Sequence, residues 1–310
     1  MIIACETDPV IYTDNQPIPV IYGIFSRNDS VHYLKVGRSF GAAVDPLESA
    51  SIYDSLFFKD LEVEVWLTNI RNKDSLLMEI EQVTDIPKDA GIFHFPGQGL
   101  YRFSHDFTFF DGCILVCVYV PGLPVAGAEI EMARLETISS PKVNQQTIYL
   151  IPDNPLRIHW TGNKWNEIDV AFEFIEHMNN SERRSKWVHI QNTNYFTSPH
   201  ERYREMKITY EEFIREVLQQ IPKNDSVKNT FFGNISITIN GGDENMVNYM
   251  RYLYGFSDYN VITFSNIENG IGLLASRSTF IRDSLHFDYS TRQFLINENR
   301  LKVLKISKWN

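Results

Sequence analysis

Three cysteines, Cys5, Cys113 and Cys117, and eight histidines are the residues of this 310-residue chain best suited to redox, metal or nucleophilic chemistry. Cys113 and Cys117 stand four apart in Cys113-Ile114-Leu115-Val116-Cys117-Val118-Tyr119-Val120, without the CxxC spacing of a zinc or redox pair. The β-branched content of this run reads as a buried strand. Four strand residues at about 3.3 Å each separate the two Cα atoms by about 13 Å, beyond disulfide reach. Both cysteines are therefore expected as core thiols. The histidines are scattered, with no HExxH pair to set two imidazoles on one helical turn, so no catalytic metal is expected. His105 with Asp106 and Asp111, or His159 beside Trp160, could be gathered by folding; taken singly, each histidine reads as a solvated or hydrogen-bonded group. The chain also lacks a GxSxG elbow, a Walker loop and a GxGxxG fingerprint. No catalytic residue and no cofactor is expected, and the chain reads as non-enzymatic. Asn240-Gly241-Gly242-Asp243-Glu244-Asn245 is rich in oxygen ligands. It lacks the alternating acids and distal glutamate of an EF-hand and reads as a turn with a helix cap at Asp243. The acidic segment from Glu129 to Glu136 reads as the wet face of a strand.

Cys5 has a different setting. It follows Ile2-Ile3-Ala4 and precedes Glu6-Thr7-Asp8-Pro9, the pattern of a bacterial lipoprotein box, in which a small residue sits before a cysteine that accepts a diacylglyceryl group. Several acyl chains, at about 0.8 kcal/mol per buried CH₂, would hold the chain on a membrane where one chain gives only reversible binding. The basic and fully apolar regions of a signal peptide are missing ahead of this box, which an internal start at Met1 would explain. The twelve residues from Cys5 to Pro17 could extend about 40 Å, enough to lift a folded body off a surface.

The elements that must position any site follow from composition and pattern. Lys+Arg 29 against Asp+Glu 39 gives a net charge of −10, which disfavours nucleic acid as a partner. No stretch approaches the roughly 20 apolar residues of a spanning helix. Strand patterns recur at Pro17–Phe25, His32–Val36, Leu61–Leu67, Leu76–Val83, Gly91–Phe95, Gly99–Phe103, Gly112–Val120 and Ala128–Leu135. Short strands at such spacing, separated by Gly, Pro, Asn and Asp, predict an antiparallel sandwich. Prolines around 141–155 mark a boundary, after which strands at Leu156–Trp160, Asp169–His177, Trp187–Ile190, Ile235–Ile239, Tyr259–Phe264, Gly272–Ser276 and Ser284–Asp288 predict a second one. Thr209 with Glu212 forms a capping box before the apolar stripe Tyr210, Phe213, Ile214, Val217, Leu218 and Ile221, which predicts a helix ended by Pro222. Asp243 caps a second helix, with Gly255 as its stop. The fold expected is mainly β: residues 1–16 as lipoprotein box and tether, 17–140 as an N-terminal immunoglobulin- or fibronectin-like β-sandwich, and 141–310 as a C-terminal one with a helical insertion near 200–260.

Three further runs share a pattern: Tyr249-Met250-Arg251-Tyr252-Leu253, Ser257-Asp258-Tyr259-Asn260 and Phe264 through Gly270-Ile271-Gly272 to Ser276. Together with Pro19 to Phe25 and Asp29 to Phe40, they resemble the domain-of-unknown-function 4249 family of Bacteroidetes over nearly the whole chain. The resemblance implies an exported outer-membrane lipoprotein with tandem β-sandwiches, often encoded beside a TonB-dependent transporter. It implies lipid attachment at Cys5, no catalytic residues, and a possible surface-exposed position. On this reading the chain is a lipid-anchored accessory or binding protein of the cell envelope, with such a transporter as partner. Two rival readings stand beside it. The aromatic residues, including Tyr249, Tyr252, Tyr254, Phe256 and Tyr259, could make a surface glycan-binding module, or a hydrolase site could be assembled only by the fold.

Overall fold

The computed structural model describes residues 16–39, 52–83, 85–87, 98–195, 203–253 and 265–307. The protein is mainly β, and it divides into two compact units. Unit 1 is Met1–Met132 with Asn248–Ser276; unit 2 is Ala133–Val247 with Arg277–Asn310. The chain passes from unit 1 to unit 2 at 132/133 and returns to unit 1 over Asn248–Ser276. Cys5 and the whole tether to residue 15 lie outside the described residues, as do Gly255 and the strands expected at Gly91–Phe95 and Tyr259–Phe264.

In unit 1, β1 (Pro19–Ser26) and β2 (Val31–Arg38) form a hairpin across the polar turn Arg27-Asn28-Asp29-Ser30. β6 (Leu100–Ser104) pairs with β2, and the three-residue β5 (Glu81–Val83) with β6. The first six residues of β16 (Ile271–Phe287) lie beside β1. Gly272 makes that approach possible: its φ is +132°, and a Cβ there would stand 1.8 Å from the Ile21 carbonyl oxygen. A second sheet runs β4 (Ser75–Leu77), β3 (Glu62–Asn69), β7 (Gly112–Tyr119), β8 (Ala126–Glu131). The segment Leu76–Val83, which reads as one strand, is thus split between two sheets. Alternation drives the packing: Ile21, Phe25, Leu34 and Val36 of one sheet join Val65, Leu67, Ile114, Val116 and Val118 of the other in a single apolar cluster. A one-turn helix, α1 (Tyr53–Leu56), precedes β3.

The cysteines of β7 do not join this core. Ile114, Val116 and Val118 take the inward positions, so the strand's period of two turns Cys113 and Cys117 to the opposite, half-exposed face as free thiols. Partial burial, then nearby Glu129 and Glu131, raises the Cys113 thiol pKa.

In unit 2 the antiparallel order is β13 (Arg183–Tyr195), β12 (Trp165–Met178), β15 (Val227–Gly242) and the rest of β16, with β10 (Thr147–Ile148) parallel to the end of β16. A three-stranded sheet runs β14 (Arg204–Ile208), β11 (Leu156–Thr161), β9 (Thr137–Ser140). Helix α2 (Tyr210–Gln220) has the expected capping box between Thr209 and Glu212 and buries Tyr210, Phe213, Ile214 and Val217. Its last residue blunts the open edge of β13: the Gln220 side-chain amide accepts from His189 N at 2.9 Å and donates to His189 O at 2.8 Å, as a neighbouring strand would. α3 (Glu244–Leu253) follows β15. β15 lies between β12 and β16 and supplies Ile235, Ile237 and Ile239 to the core. Elements without a counterpart in the sequence reading include α1, β9, β10 and β14, together with α4 (Tyr289–Asn297), capped by Asp288, and the 3-10 turn Asn299–Leu304.

Candidate functional site

The loops at one end of unit 1 are stitched together by backbone groups. Arg27, 7% exposed, donates from Nη1 to the carbonyls of Phe107 at 2.8 Å and Thr108 at 3.2 Å, tying the β1–β2 turn to the β6–β7 loop. His105 N donates to Ser30 O, and Ile70 N, in the β3–β4 turn, donates to Asp111 O. Within the β6–β7 loop, Asp106 Oδ1 accepts from Thr108 N at 2.8 Å, an Asx turn, and Phe110 N donates to Phe107 O. The Thr108 hydrogen bonds lower the Asp106 pKa. Arg71 stands over Asp111 at 3.4 Å.

Beneath these loops lies an aromatic floor. The Phe107 ring is fully buried, 4.5 Å from the His32 ring, 4.9 Å from His105 and 5.4 Å from Phe110. Phe25 meets Phe103 edge-on at 5.5 Å. His32 Nε2 donates to His105 O at 3.0 Å. Burial lowers the pKa of both histidines, which favours their neutral form. From this fixed base Phe109 projects with 92% of its surface exposed. The turn is anchored on both sides, by Thr108 O and by the Phe110 N to Phe107 O hydrogen bond. The arrangement is suited to contact: one large ring is presented by a pre-organised loop, with little ordering left to do on binding.

His105, Asp106 and Asp111 thus share the braced β6–β7 loop, with Asp106 bonded to Thr108 N and Asp111 paired with Arg71. The other expected group is separate: His159 is half-buried on β11 beside Glu205 at 3.2 Å, while Trp160 faces the core and is fully buried. Asp243 caps α3 through Met246 N at 2.9 Å. Tyr249 and Tyr252 on α3 are half-buried, and Tyr254, Phe256 and Tyr259 lie outside the described residues. No group of three His, Cys, Asp or Glu that could hold a metal occurs among the described residues.

Unit 2 holds a polar centre that the sequence reading missed. Glu136, taken there as part of a wet strand face, is 2% exposed. Its Oε1 accepts from Asn163 N at 3.0 Å and from the side-chain amides of Asn163 and Asn166 at 2.7 Å each. Asn166 Oδ1 in turn accepts from Trp160 Nε1 at 3.3 Å, and Ser278 Oγ donates to Arg134 O at 2.6 Å beside Asn163. Two glycines make the room. A Cβ on Gly162 would fall 1.5 Å from Glu136 Oε2, and one on Gly241 1.9 Å from Oε1. Oε2 has no hydrogen-bond partner among the described residues. Burial raises the Glu136 pKa, against the pull of the three donors and of the Arg204 charge. A signal for this inward position did exist, because Glu136 stands directly before β9 and two residues from buried Ile138. Enclosed as it is, the carboxyl joins four segments of unit 2 and offers no reacting surface.

No protein-family model matches the chain, and no curated protein matches it. Among solved structures it is similar to a DUF4785 family protein from Legionella pneumophila, at 8% identity and TM-score 0.22, covering 70% of this chain and 50% of that one. The chain thus spans about half the length of the Legionella protein. It is also similar to DIP-gamma IG1+IG2, at 8% identity and TM-score 0.21, with 73% and 90% covered, and to InvD of Yersinia pseudotuberculosis, at 10% identity and TM-score 0.19, with 71% and 63% covered. Likeness at this level does not carry function.

Proposed function

We propose that this chain is a lipid-anchored, non-catalytic accessory or binding protein of the cell envelope, moored at Cys5, with its units as immunoglobulin-like sandwiches. In this reading it sits at the outer membrane, as in the domain-of-unknown-function 4249 family, and contacts a TonB-dependent transporter. No helix of the described residues is long and apolar enough to cross a membrane; the reading places the attachment at the lipid on Cys5. The observation that carries the reading is Phe109. It stands on loops at the Ser26 end of β1, about 25 Å along an eight-residue strand from the end where the tether arrives at Pro19. Within unit 1, the tether thus enters β1 at the end opposite the loops that carry the ring, an arrangement suited to contact.

The test is affinity purification of the tagged protein from solubilised native envelopes. A transporter barrel should be recovered with the native protein and fall by at least about tenfold with Phe109→Ser. Recovery of no barrel, or equal recovery with both forms, contradicts the proposal.

A further inference from the structure

We infer that the outward face of the β1–β2–β6–β5 sheet in unit 1 is a binding platform for polysaccharide chains. The solvent side of an antiparallel sheet is ordinarily polar. Here it carries Tyr22 at 50%, Ile24 at 44% and Tyr33 at 39% exposure, while the opposite face supplies Ile21, Phe25 and Leu34 to the core. Tyr22 is directly opposite Lys35 on β2. Tyr33, two residues along, is therefore its diagonal neighbour at roughly 7–8 Å, within reach of one ligand chain.

The polar groups beside the rings are already in place. Tyr33 pairs with Arg102, and Arg102 with Glu81, in one row across β2, β6 and β5. Arg102 donates from Nε to Glu81 Oε1 at 2.6 Å and also hydrogen-bonds the Tyr33 side chain. The guanidinium and carboxylate are thus fixed next to the ring, and Lys35 is exposed in the adjacent row. A sugar ring has an apolar C–H face and a rim of hydroxyls. Such a ligand can cover a tyrosine with one and satisfy a fixed arginine and carboxylate with the other. A purely apolar partner would leave the Arg102–Glu81 pair desolvated without compensation. Oppositely charged groups side by side also favour a neutral glycan over an anionic one.

This inference goes beyond transporter contact and does not depend on lipid at Cys5, so it is tested on the full chain carrying Cys5→Ser. The measurement is affinity electrophoresis in native gels containing laminarin, xylan, amylopectin, galactomannan or, as the anionic control, polygalacturonate. At least one neutral polysaccharide should retard the protein. Tyr22→Ala and Tyr33→Ala should each weaken retention by up to about tenfold, and the double variant should abolish it. Tyr22→Phe and Tyr33→Phe keep the ring face and should stay within about threefold. Both positions are exposed, so an unchanged Tm shows that the variants are folded. Retardation by none of the neutral polysaccharides, retention unaltered in the double alanine variant, or equal loss in the phenylalanine variants would overturn the inference.

Discussion

The loop end of unit 1 and the Glu136 centre of unit 2 each bury an ionisable side chain, and they use it in different ways. Arg27 spends its charge on two loop carbonyls, so it fixes a surface feature from below. Glu136 spends one oxygen on three donors and leaves the other bare, so it joins interior segments and faces nothing outside. Burial of an ionisable group therefore does not by itself mark a functional site. What distinguishes the two is what stands above them: an exposed ring in one case, two close-packed glycines in the other.

The comparison can be broken at its strongest point by Phe107→Ala. Removing a fully buried ring from the floor should destabilise the protein by about 3–5 kcal/mol in denaturant unfolding. A loss below about 1 kcal/mol would mean that the loops do not rest on it. In unit 2, Gly241→Ala places a methyl group against the Glu136 carboxyl and should cost about 1–3 kcal/mol. That cost should shrink in the Glu136→Ala background, where the obstacle is gone; simple additivity of the two would contradict the contact.

The pH dependence is smaller and has a definite sign. Because the folded chain raises the Glu136 pKa above its ordinary 4.5, the neutral acid is the form that folding favours. Its contribution is fully present below the unfolded value and is lost as pH rises through the raised one. Native stability minus that of Glu136→Gln should therefore fall as pH rises from 4.5 and then level off. A difference that grows with pH would show the ionised form to be the favoured one. The smallest effect is expected at Phe109. Phe109→Ser should change unfolding stability by no more than about 0.5 kcal/mol, since the ring is 92% exposed, while abolishing contact. A large stability loss would place the ring inside the fold.

Much of the frame was legible because it depends on local periodicity. The Thr209–Glu212 capping box, the alternation in β3 and the polar hairpin turn at 27–30 are each specified by neighbours in sequence. What escaped depends on distant partners. The run around Cys113 is strongly β-branched, yet which parity faces inward is decided by Val65 and Leu67 across the sheet pair. Glu136 is drawn inside by Asn163 and Asn166, about thirty residues on, and by Gly241 beyond that. Phe109 carries no signature of exposure, because a phenylalanine between Thr108 and Phe110 looks like core until Arg27 fixes the loop. The platform was likewise hidden: Tyr22 and Tyr33 belong to different strands, and only pairing puts them on one face.

Anchoring is tested most directly by mass spectrometry of the native protein taken from envelope membranes. The account predicts a mature chain whose first residue is Cys5, carrying a thioether-linked diacylglyceryl group. An unmodified Cys5 thiol in a chain that still bears Ile2-Ile3-Ala4, recovered outside the membrane fraction, would contradict it.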